Sequence, residues 1–145
     1  MGLFSIKAGH LPQRITAGAF ILNSGIGKLS ADEATAAQLH GFAVGTYPFL
    51  AKLKPKDFAR ALAITEIALG TALIIPWVPS LVAGAGLTAF SGGLLGLYVR
   101  TPGMRKDGTP LPTQQGIPLA KDVWMAGIGL GLVIDDITDL VSSDS

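Results

Sequence analysis

Residues 67–99 read IALGTALIIPWVPSLVAGAGLTAFSGGLLGLYV, and this stretch contains no Asp, Glu, Lys or Arg. A soluble helical protein must present a polar face to water, so it rarely leaves so long a stretch uncharged. Pro76 and Pro79 divide the stretch, and a residue that precedes a proline is disfavoured in the α conformation. Trp77 lies between them and belongs to a residue type enriched at membrane interfaces. The pattern therefore predicts two membrane-spanning helices joined by a tight interfacial turn.

The composition of the whole chain supports the same class of protein. Of the 145 residues, 14% are charged and 49% are hydrophobic, whereas roughly a quarter of the residues in typical soluble domains are charged. The formal net charge of +1 provides no electrostatic footprint for nucleic acid. The chain has no cysteine, which excludes disulfides, thiol chemistry and iron–sulfur ligation by its own residues. We therefore predict a single membrane domain over residues 1–145 rather than a soluble enzyme or a nucleic-acid binder.

Four segments have about the 20 mostly apolar residues that a membrane-spanning helix needs. They cover about residues 11–29, 57–77, 80–99 and 119–137. Between the first two, Ser30 and Glu33 have the spacing of a helix capping box, and a weakly amphipathic stretch follows. The predicted fold is thus all-α: a transmembrane four-helix bundle with a short interfacial amphipathic helix between helices 1 and 2.

The distribution of basic residues predicts the orientation of the bundle. Lys7 and Arg14 are the only basic residues on the side that holds both termini and the Pro76–Pro79 turn. The other side holds nine: Lys28, Lys52, Lys54, Lys56, Arg60, Arg100, Arg105, Lys106 and Lys121. The positive-inside rule therefore predicts a multi-pass plasma-membrane protein with both termini outside and two long cytoplasmic loops.

Glu66 is the most informative candidate site residue because it lies near the middle of the second predicted span. A carboxylate in hydrocarbon must be protonated, paired or directed towards a polar cavity. Helical rise places Asn23 and Thr88 at a similar depth, so a hydrogen-bonded cluster with Glu66 is predicted, with Lys28 extending towards it. Two interpretations remain open: a polar clasp between helices, and a carboxyl group that carries a proton or binds a substrate.

The remaining polar candidates lie near helix ends. Arg14 and Lys28 flank the first span and are expected to extend towards lipid headgroups. Arg100, Lys121 and Asp122 are expected to form an ionic cluster at the cytoplasmic end.

Metal sites and small-residue spacings add two further predictions. His10 and His40 are assigned to opposite membrane faces, and no metal site is predicted. Two GxxxG spacings, Gly92/Gly96 and Gly127/Gly131, predict close helix packing.

Four segments in order resemble the DoxX-like family of small four-helix membrane proteins, in its actinobacterial form. They are RITAGAFILNSGIGKL from Arg14, TEIALGTAL around Glu66, LLGLYVRTPGM across Arg100, and LAKDVWM across Lys121 and Asp122. The resemblance covers residues 14–134 and implies a bacterial plasma membrane location. It also implies that Arg14, Lys28, Glu66, Lys121 and Asp122 are the polar positions of the family pattern. Some relatives in this family are linked to membrane oxidoreductase complexes, including thiosulfate–quinone oxidation and assemblies with superoxide dismutase.

Two functional hypotheses follow. The first is a non-catalytic subunit or anchor of a membrane-associated redox or stress-response complex, in which the loops contact an oxidoreductase partner and the Glu66 cluster stabilises the bundle or borders a quinone. No cofactor is predicted within the chain. The second is a small proton-coupled transporter or lipid-handling protein that uses Glu66, and homo-oligomerisation would compensate for its small size. A quinone oxidoreductase acting alone is ranked last, because the chain has no visible flavin, haem or thiol machinery.

Overall fold

A computed structural model describes residues 7–114 and 116–143, without the side chains of Pro118, Leu119 and Ser143. Short 3-10 segments cover Ala8–His10 and Pro48–Lys52, and the described residues contain one isolated bridge, Arg105 to Pro112, and no strand. The predicted all-α class is confirmed. The helices are α1 (Leu11–Leu29), α2 (Glu33–Thr46), α3 (Pro55–Ile74), α4 (Ser80–Arg100), α5 (Ile117–Ala120) and α6 (Asp122–Ser143).

The four long helices, α1, α3, α4 and α6, overlap the predicted spans; their bounds differ by at most three residues except at the end of α6, which extends six residues beyond the predicted 137. The predicted turn between the second and third spans is present at residues 75–79, where the Val78 N–H donates to the Ile75 carbonyl. Among the described residues, α4 alone is long and apolar enough to cross a membrane by length and composition. Charges are more frequent in α3 and α6: each of these two helices contains four charged residues.

The N-cap of the short helix α2 lies two residues later than the predicted capping box places it. Asp32, rather than Ser30, precedes its first turn, and the Asp32 carboxylate accepts a 2.8 Å hydrogen bond from the Thr35 N–H. That backbone hydrogen bond lowers the pKa of Asp32 below its ordinary value. The helix α2 packs against α3 and buries Ala36 and Ala43.

Two tightly packed helix pairs build the bundle, α1 with α3 and α4 with α6. A Cβ added to Gly70 would lie 2.7 Å from the Gly18 carbonyl oxygen, and one added to Gly84 would lie 2.8 Å from the Gly129 carbonyl oxygen. These contacts between backbones require glycine. The predicted GxxxG packing is wrong for Gly92, Gly127 and Gly131, because a Cβ at any of them would meet nothing within 4 Å.

Some charged side chains are buried in the bundle while many large apolar side chains are exposed. Arg14 is 1% exposed and Glu66 is 5% exposed, whereas Phe20 is 66% exposed and Trp124 is 68% exposed. All four long helices contribute to a small apolar core made of Ala17, Ile21, Leu73, Ala83, Leu87 and Leu132. Each of these helices also exposes large apolar side chains on its outer surface.

Candidate functional site

Arg14 lies at the centre of a buried polar network at the end of the bundle that holds the α3–α4 turn. Its Nε donates to the Leu73 carbonyl at 2.7 Å, and its Nη2 donates to the carbonyls of Ala72 and Ile75 at 2.8 and 3.0 Å. Its Nη1 donates to Ser80 Oγ at 3.0 Å. The guanidinium therefore satisfies carbonyls that α3 leaves without helical partners at its C-terminus.

The prolines of the turn explain why two of these carbonyls, those of Ala72 and Ile75, have no helical partner, although the Ile75 carbonyl also accepts from the Val78 N–H in the turn. In a continuing helix, the Ala72 and Ile75 carbonyls would accept from the N–H groups four residues later, which are positions 76 and 79. Both positions are proline and have no N–H. The residues that end α3 thus create the acceptor site that Arg14 of α1 fills.

His10 extends this network from Ser80 to α6. Its Nδ1 lies 2.9 Å from Ser80 Oγ, and its Nε2 lies 2.7 Å from Asp135 Oδ2. A neutral imidazole satisfies every member if Arg14 donates to Ser80, Ser80 donates to Nδ1, and Nε2 donates to Asp135. The chain of donors therefore connects α1, α4 and α6 through side chains.

Lys7 and Asp136 complete the network at its two ends. Lys7 Nζ lies 2.7 Å from carboxylate oxygens of both Asp135 and Asp139. The hydrogen bonds to Asp135 and then to Asp139 raise the pKa of Lys7 above its ordinary value. Asp136 is buried and accepts a 2.8 Å hydrogen bond from the Leu81 N–H, so it caps the first turn of α4 from another helix. We call these residues the Arg14 network: Lys7, His10, Arg14, Ser80, Asp135, Asp136 and Asp139.

A second buried polar site lies towards the opposite end of the bundle. Lys28 Nζ lies 2.9 Å from Glu66 Oε1 and donates to Ser24 Oγ at 2.6 Å. Gly25 allows α1 to approach α3 closely at Glu66, because a Cβ on Gly25 would lie only 2.9 Å from the Glu66 Cβ. The Glu66 Oε1 atom makes the ion pair without a hydrogen bond of good geometry. We call this site the Lys28–Glu66 pair.

The predicted cluster of Asn23, Glu66 and Thr88 does not form among the described residues. Asn23 is exposed on the outer face of α1. Thr88 Oγ1 donates to the Gly84 carbonyl of its own helix at 2.8 Å. Equal depth placed these residues at the same level, but the face of each helix decides which side chains meet. Of the predicted partners, Lys28 alone reaches Glu66.

Arg14 and Lys28 also differ from the prediction that they extend to headgroups. Arg14 turns inward to the carbonyls of α3, and Lys28 turns inward to Glu66. Both side chains turn inward for the same reason: an acceptor inside the bundle competes with the lipid headgroups for the cation.

The predicted ionic cluster of Arg100, Lys121 and Asp122 is absent from the described contacts. Arg100 and Lys121 are exposed, and the ion pairs of the described residues do not include them. Asp122 is half-buried and lies near enough to Glu66 for the two carboxylates to interact electrostatically. Asp122 therefore belongs to the surroundings of the Lys28–Glu66 pair.

Separate features of the sequence indicate the members of the Arg14 network, although no single motif contains them. Lys7, His10 and Arg14 follow the i, i+3, i+7 spacing of one helix face, and the predicted topology placed Asp135 and Asp136 at the same end. The prolines at 76 and 79 mark unpaired carbonyls at that end as well.

The chain matches no known family or structure in these comparisons: no family model, no curated protein and no solved structure is similar to it. Among the described residues, no group of His, Asp and Glu side chains is arranged to hold a metal ion.

Proposed function

We propose that this chain is a multi-pass membrane protein and that it acts as a non-catalytic subunit or anchor of a membrane-associated complex. The observation that carries the proposal is the distribution described above, in which Arg14, Glu66 and Asp136 are buried and large apolar side chains are exposed on all four long helices. In water this distribution would be unfavourable, whereas in a bilayer the exposed apolar side chains contact acyl chains.

The helix lengths suit a bilayer. The four long helices have 19 to 22 residues. At 1.5 Å per residue they are about 28–33 Å long, close to the thickness of a hydrocarbon core of about 30 Å. The Arg14 network and the Lys28–Glu66 pair supply the polar partners that charged groups need at such depths.

An orientation with the two long loops in the cytoplasm agrees with the exposure of the basic residues. Lys52, Lys54 and Lys56 follow α2, Arg105 and Lys106 follow α4, and all five side chains are exposed. Exposed Phe49, which precedes the lysines, suits an interfacial position.

The role of anchor is favoured over catalysis by the way the buried polar groups are used. Arg14 directs four N–H groups to acceptors on α3, the turn and α4, so the network holds helices together. The exposed basic loops are then the surfaces available to a partner. The DoxX-like resemblance suggests that the partner is an oxidoreductase of a redox or stress-response system in a bacterial plasma membrane.

One observation favours the alternative of proton-coupled transport or lipid handling. Glu66 Oε1 and Ser91 Oγ are both buried without a hydrogen-bond partner, and Asp122 lies near Glu66. A protonated Glu66 would, however, leave the Lys28 ammonium without its counter-ion, which favours a structural role. Proton flux in proteoliposomes that changes with pH and is abolished by Glu66→Gln would establish the alternative.

The absence of cysteine allows a direct test of the topology. Single cysteines placed at Trp77 and at Lys106 report on opposite sides, and labelling intact cells with a membrane-impermeant maleimide distinguishes them. We expect the Trp77→Cys variant to be labelled in intact cells and the Lys106→Cys variant to be labelled only after lysis. Labelling of both, or extraction of the chain by alkaline carbonate, would contradict the multi-pass proposal.

The anchor role is tested by purification from native membranes in a mild detergent, with co-purifying proteins identified by mass spectrometry. Stoichiometric recovery of an oxidoreductase would support the anchor role if that recovery is lost in either of two variants. One variant changes Lys52, Lys54 and Lys56 to Gln, and the other changes Arg105 and Lys106 to Gln. Recovery of this chain alone, as a monomer or homo-oligomer, would contradict it and favour the alternative.

A further inference from the structure

The segment that follows α4 folds back on itself and leaves an open depression of about 200 Å³. Its lining includes three cationic side chains and one anionic side chain, those of Arg100, Arg105, Lys106 and Asp107. Gly103 also lines it and has a positive φ of 87°. We call Arg100, Gly103, Arg105 and Lys106 the basic notch.

Hydrogen bonds hold the notch in shape. Thr113 Oγ1 donates to the Gly103 carbonyl at 2.5 Å, and the Lys106 N–H donates to the Leu111 carbonyl at 2.8 Å. Tyr98 of α4 donates its hydroxyl to the Pro110 carbonyl at 2.6 Å. The loop that carries the cations is therefore ordered before any ligand arrives, which lowers the entropy lost on binding.

The charge of the notch favours an anion. Its three cationic side chains are exposed and outnumber Asp107. The C-terminus of α4 would by itself repel an anion, because the free carbonyls of a helix end carry partial negative charge. Arg105 Nη2 offsets this by donating to the Val99 carbonyl at 3.0 Å, and its other N–H groups remain for a ligand.

We propose that the basic notch binds a phosphate group, and that this group is the headgroup phosphate of an anionic phospholipid. A depression of about 200 Å³ is smaller than the 300–1,000 Å³ of pockets for drug-sized ligands, so it suits one small anionic group. Guanidinium groups bind phosphate oxygens through paired N–H donors. Val99 lines the notch and is exposed on α4, so acyl chains would continue along the apolar surface of that helix. The lipid as source rests on the proposed membrane location, whereas the phosphate chemistry does not.

The first experiment measures lipid retention by native mass spectrometry of the full chain in a mild non-ionic detergent. The probe is phosphatidylglycerol, and phosphatidylcholine, whose headgroup carries a cation, is the comparison. The test variant replaces Arg100, Arg105 and Lys106 by Gln. The matched control replaces Lys52, Lys54 and Lys56 by Gln, which removes the same charge from an exposed segment outside the notch.

We expect the wild type and the control to retain about one phosphatidylglycerol per chain and the notch variant to bind it at least about tenfold more weakly, because losing even one charge-assisted hydrogen bond to the phosphate weakens binding by about tenfold. Equal losses in the two triple variants would overturn the proposal, since they would indicate general attraction between charges. Gly103→Ala keeps every charge but strains a backbone with φ of 87°. We expect it to weaken retention too, and unchanged retention would overturn the role assigned to the shape of the notch.

Titration with glycerol 1-phosphate separates the two sources of phosphate. Competition with phosphatidylglycerol that depends on the notch supports the proposal in full. Binding of glycerol 1-phosphate without any retention of phosphatidylglycerol would overturn the lipid source and leave a soluble phosphate ester as the ligand. A notch that binds phosphate while the cysteine-labelling test fails would separate this inference from the membrane proposal.

Discussion

The Arg14 network and the Lys28–Glu66 pair are both buried and charged, but they are satisfied in different ways. Arg14 makes four hydrogen bonds, three of them to backbone carbonyls at the end of α3. Glu66 receives one ammonium, and its Oε1 has no hydrogen bond of good geometry. The first site is defined largely by backbone carbonyls, which no side-chain substitution removes, whereas the second depends on two side chains that can be replaced together.

This difference indicates what each site does for the bundle. Because carbonyls of α3 remain polar whatever residues surround them, removing Arg14 leaves buried acceptors without donors. Removing both Lys28 and Glu66 leaves an apolar gap and no unpaired charge. The Arg14 network is therefore expected to be essential to the fold, and the Lys28–Glu66 pair to be adjustable.

The largest effect is expected for Arg14→Ala. This change leaves the Ala72 and Leu73 carbonyls without the Arg14 donor, removes one of the two donors to the Ile75 carbonyl, and leaves Asp136 without a nearby cation, so the free energy of unfolding should fall by about 3–5 kcal/mol. Thermal unfolding in detergent, followed by circular dichroism, measures it. Lys54→Ala is the control, because this exposed cation lies outside both sites, and a change within about 0.5 kcal/mol is expected.

Arg14→Lys refines that result. A lysine has three rotatable donors on one atom and cannot reproduce the planar arrangement that reaches four acceptors. We expect a stability between those of the wild type and Arg14→Ala. Full stability in the lysine variant would show that charge alone, rather than the positions of the α3 carbonyls, governs this site.

The second effect concerns the close contact between α1 and α3, which positions both sites. Gly70→Ala would place a Cβ 2.7 Å from the Gly18 carbonyl oxygen and from the Leu22 backbone nitrogen, so the helices must separate. We expect a loss of about 1–3 kcal/mol. The matched control, Gly127→Ala, adds a Cβ to open space and should be neutral or stabilising by up to about 1 kcal/mol. Similar losses in both variants would indicate that helix packing here does not depend on the Gly18–Gly70 contact.

The third effect is a double-mutant cycle at the Lys28–Glu66 pair. Glu66→Gln leaves the Lys28 ammonium without a counter-ion, but Lys28 is 24% exposed in its side chain and can turn towards headgroups, so a loss of about 1–2 kcal/mol is expected. Combining it with Lys28→Met should restore most of the stability. Unfolding in detergent measures the stability of the wild type, the two single variants and the double variant. If the double variant loses as much stability as the two single variants together, the distinction between the two sites is removed.

The same comparison shows what could be predicted from sequence. The uncharged stretch of residues 67–99 and its two prolines were sufficient to predict the end of α3, the turn and α4, because hydropathy and proline geometry act locally. The partners of Glu66 were predicted less well: Lys28 was included correctly, but Asn23 and Thr88 are directed elsewhere. Which face of each helix turns inward depends on the close glycine contacts, and these were not distinguishable from the other Gly spacings.

The Arg14 network was missed for a related reason. Its members come from α1, α4 and α6 and from the residues around the turn, so no local pattern contains them. The lack of a helical N–H partner for the Ala72 and Ile75 carbonyls was predictable from Pro76 and Pro79, but the side chain that donates to both comes from a helix more than fifty residues earlier. The sequence therefore predicts that such unpaired acceptors exist, but it does not predict which side chain donates to them.

The smallest expected effect lies at the exposed edge of the Arg14 network. Lys7 has a raised pKa through Asp135 and Asp139, so its contribution to stability is fully present below its ordinary pKa of 10.5 and is lost as pH rises through its higher folded value. The stability difference between the wild type and Lys7→Gln, measured by thermal unfolding, should thus be constant from about pH 6 to pH 9. It should shrink in about 1 M salt, because ion pairs with partly exposed partners are screened. The cycle at the Lys28–Glu66 pair should be much less sensitive to salt, since Glu66 is buried. Equal salt sensitivity at the two sites would show that water reaches Glu66, and the pair would then resemble the exposed edge rather than the buried centre of the Arg14 network.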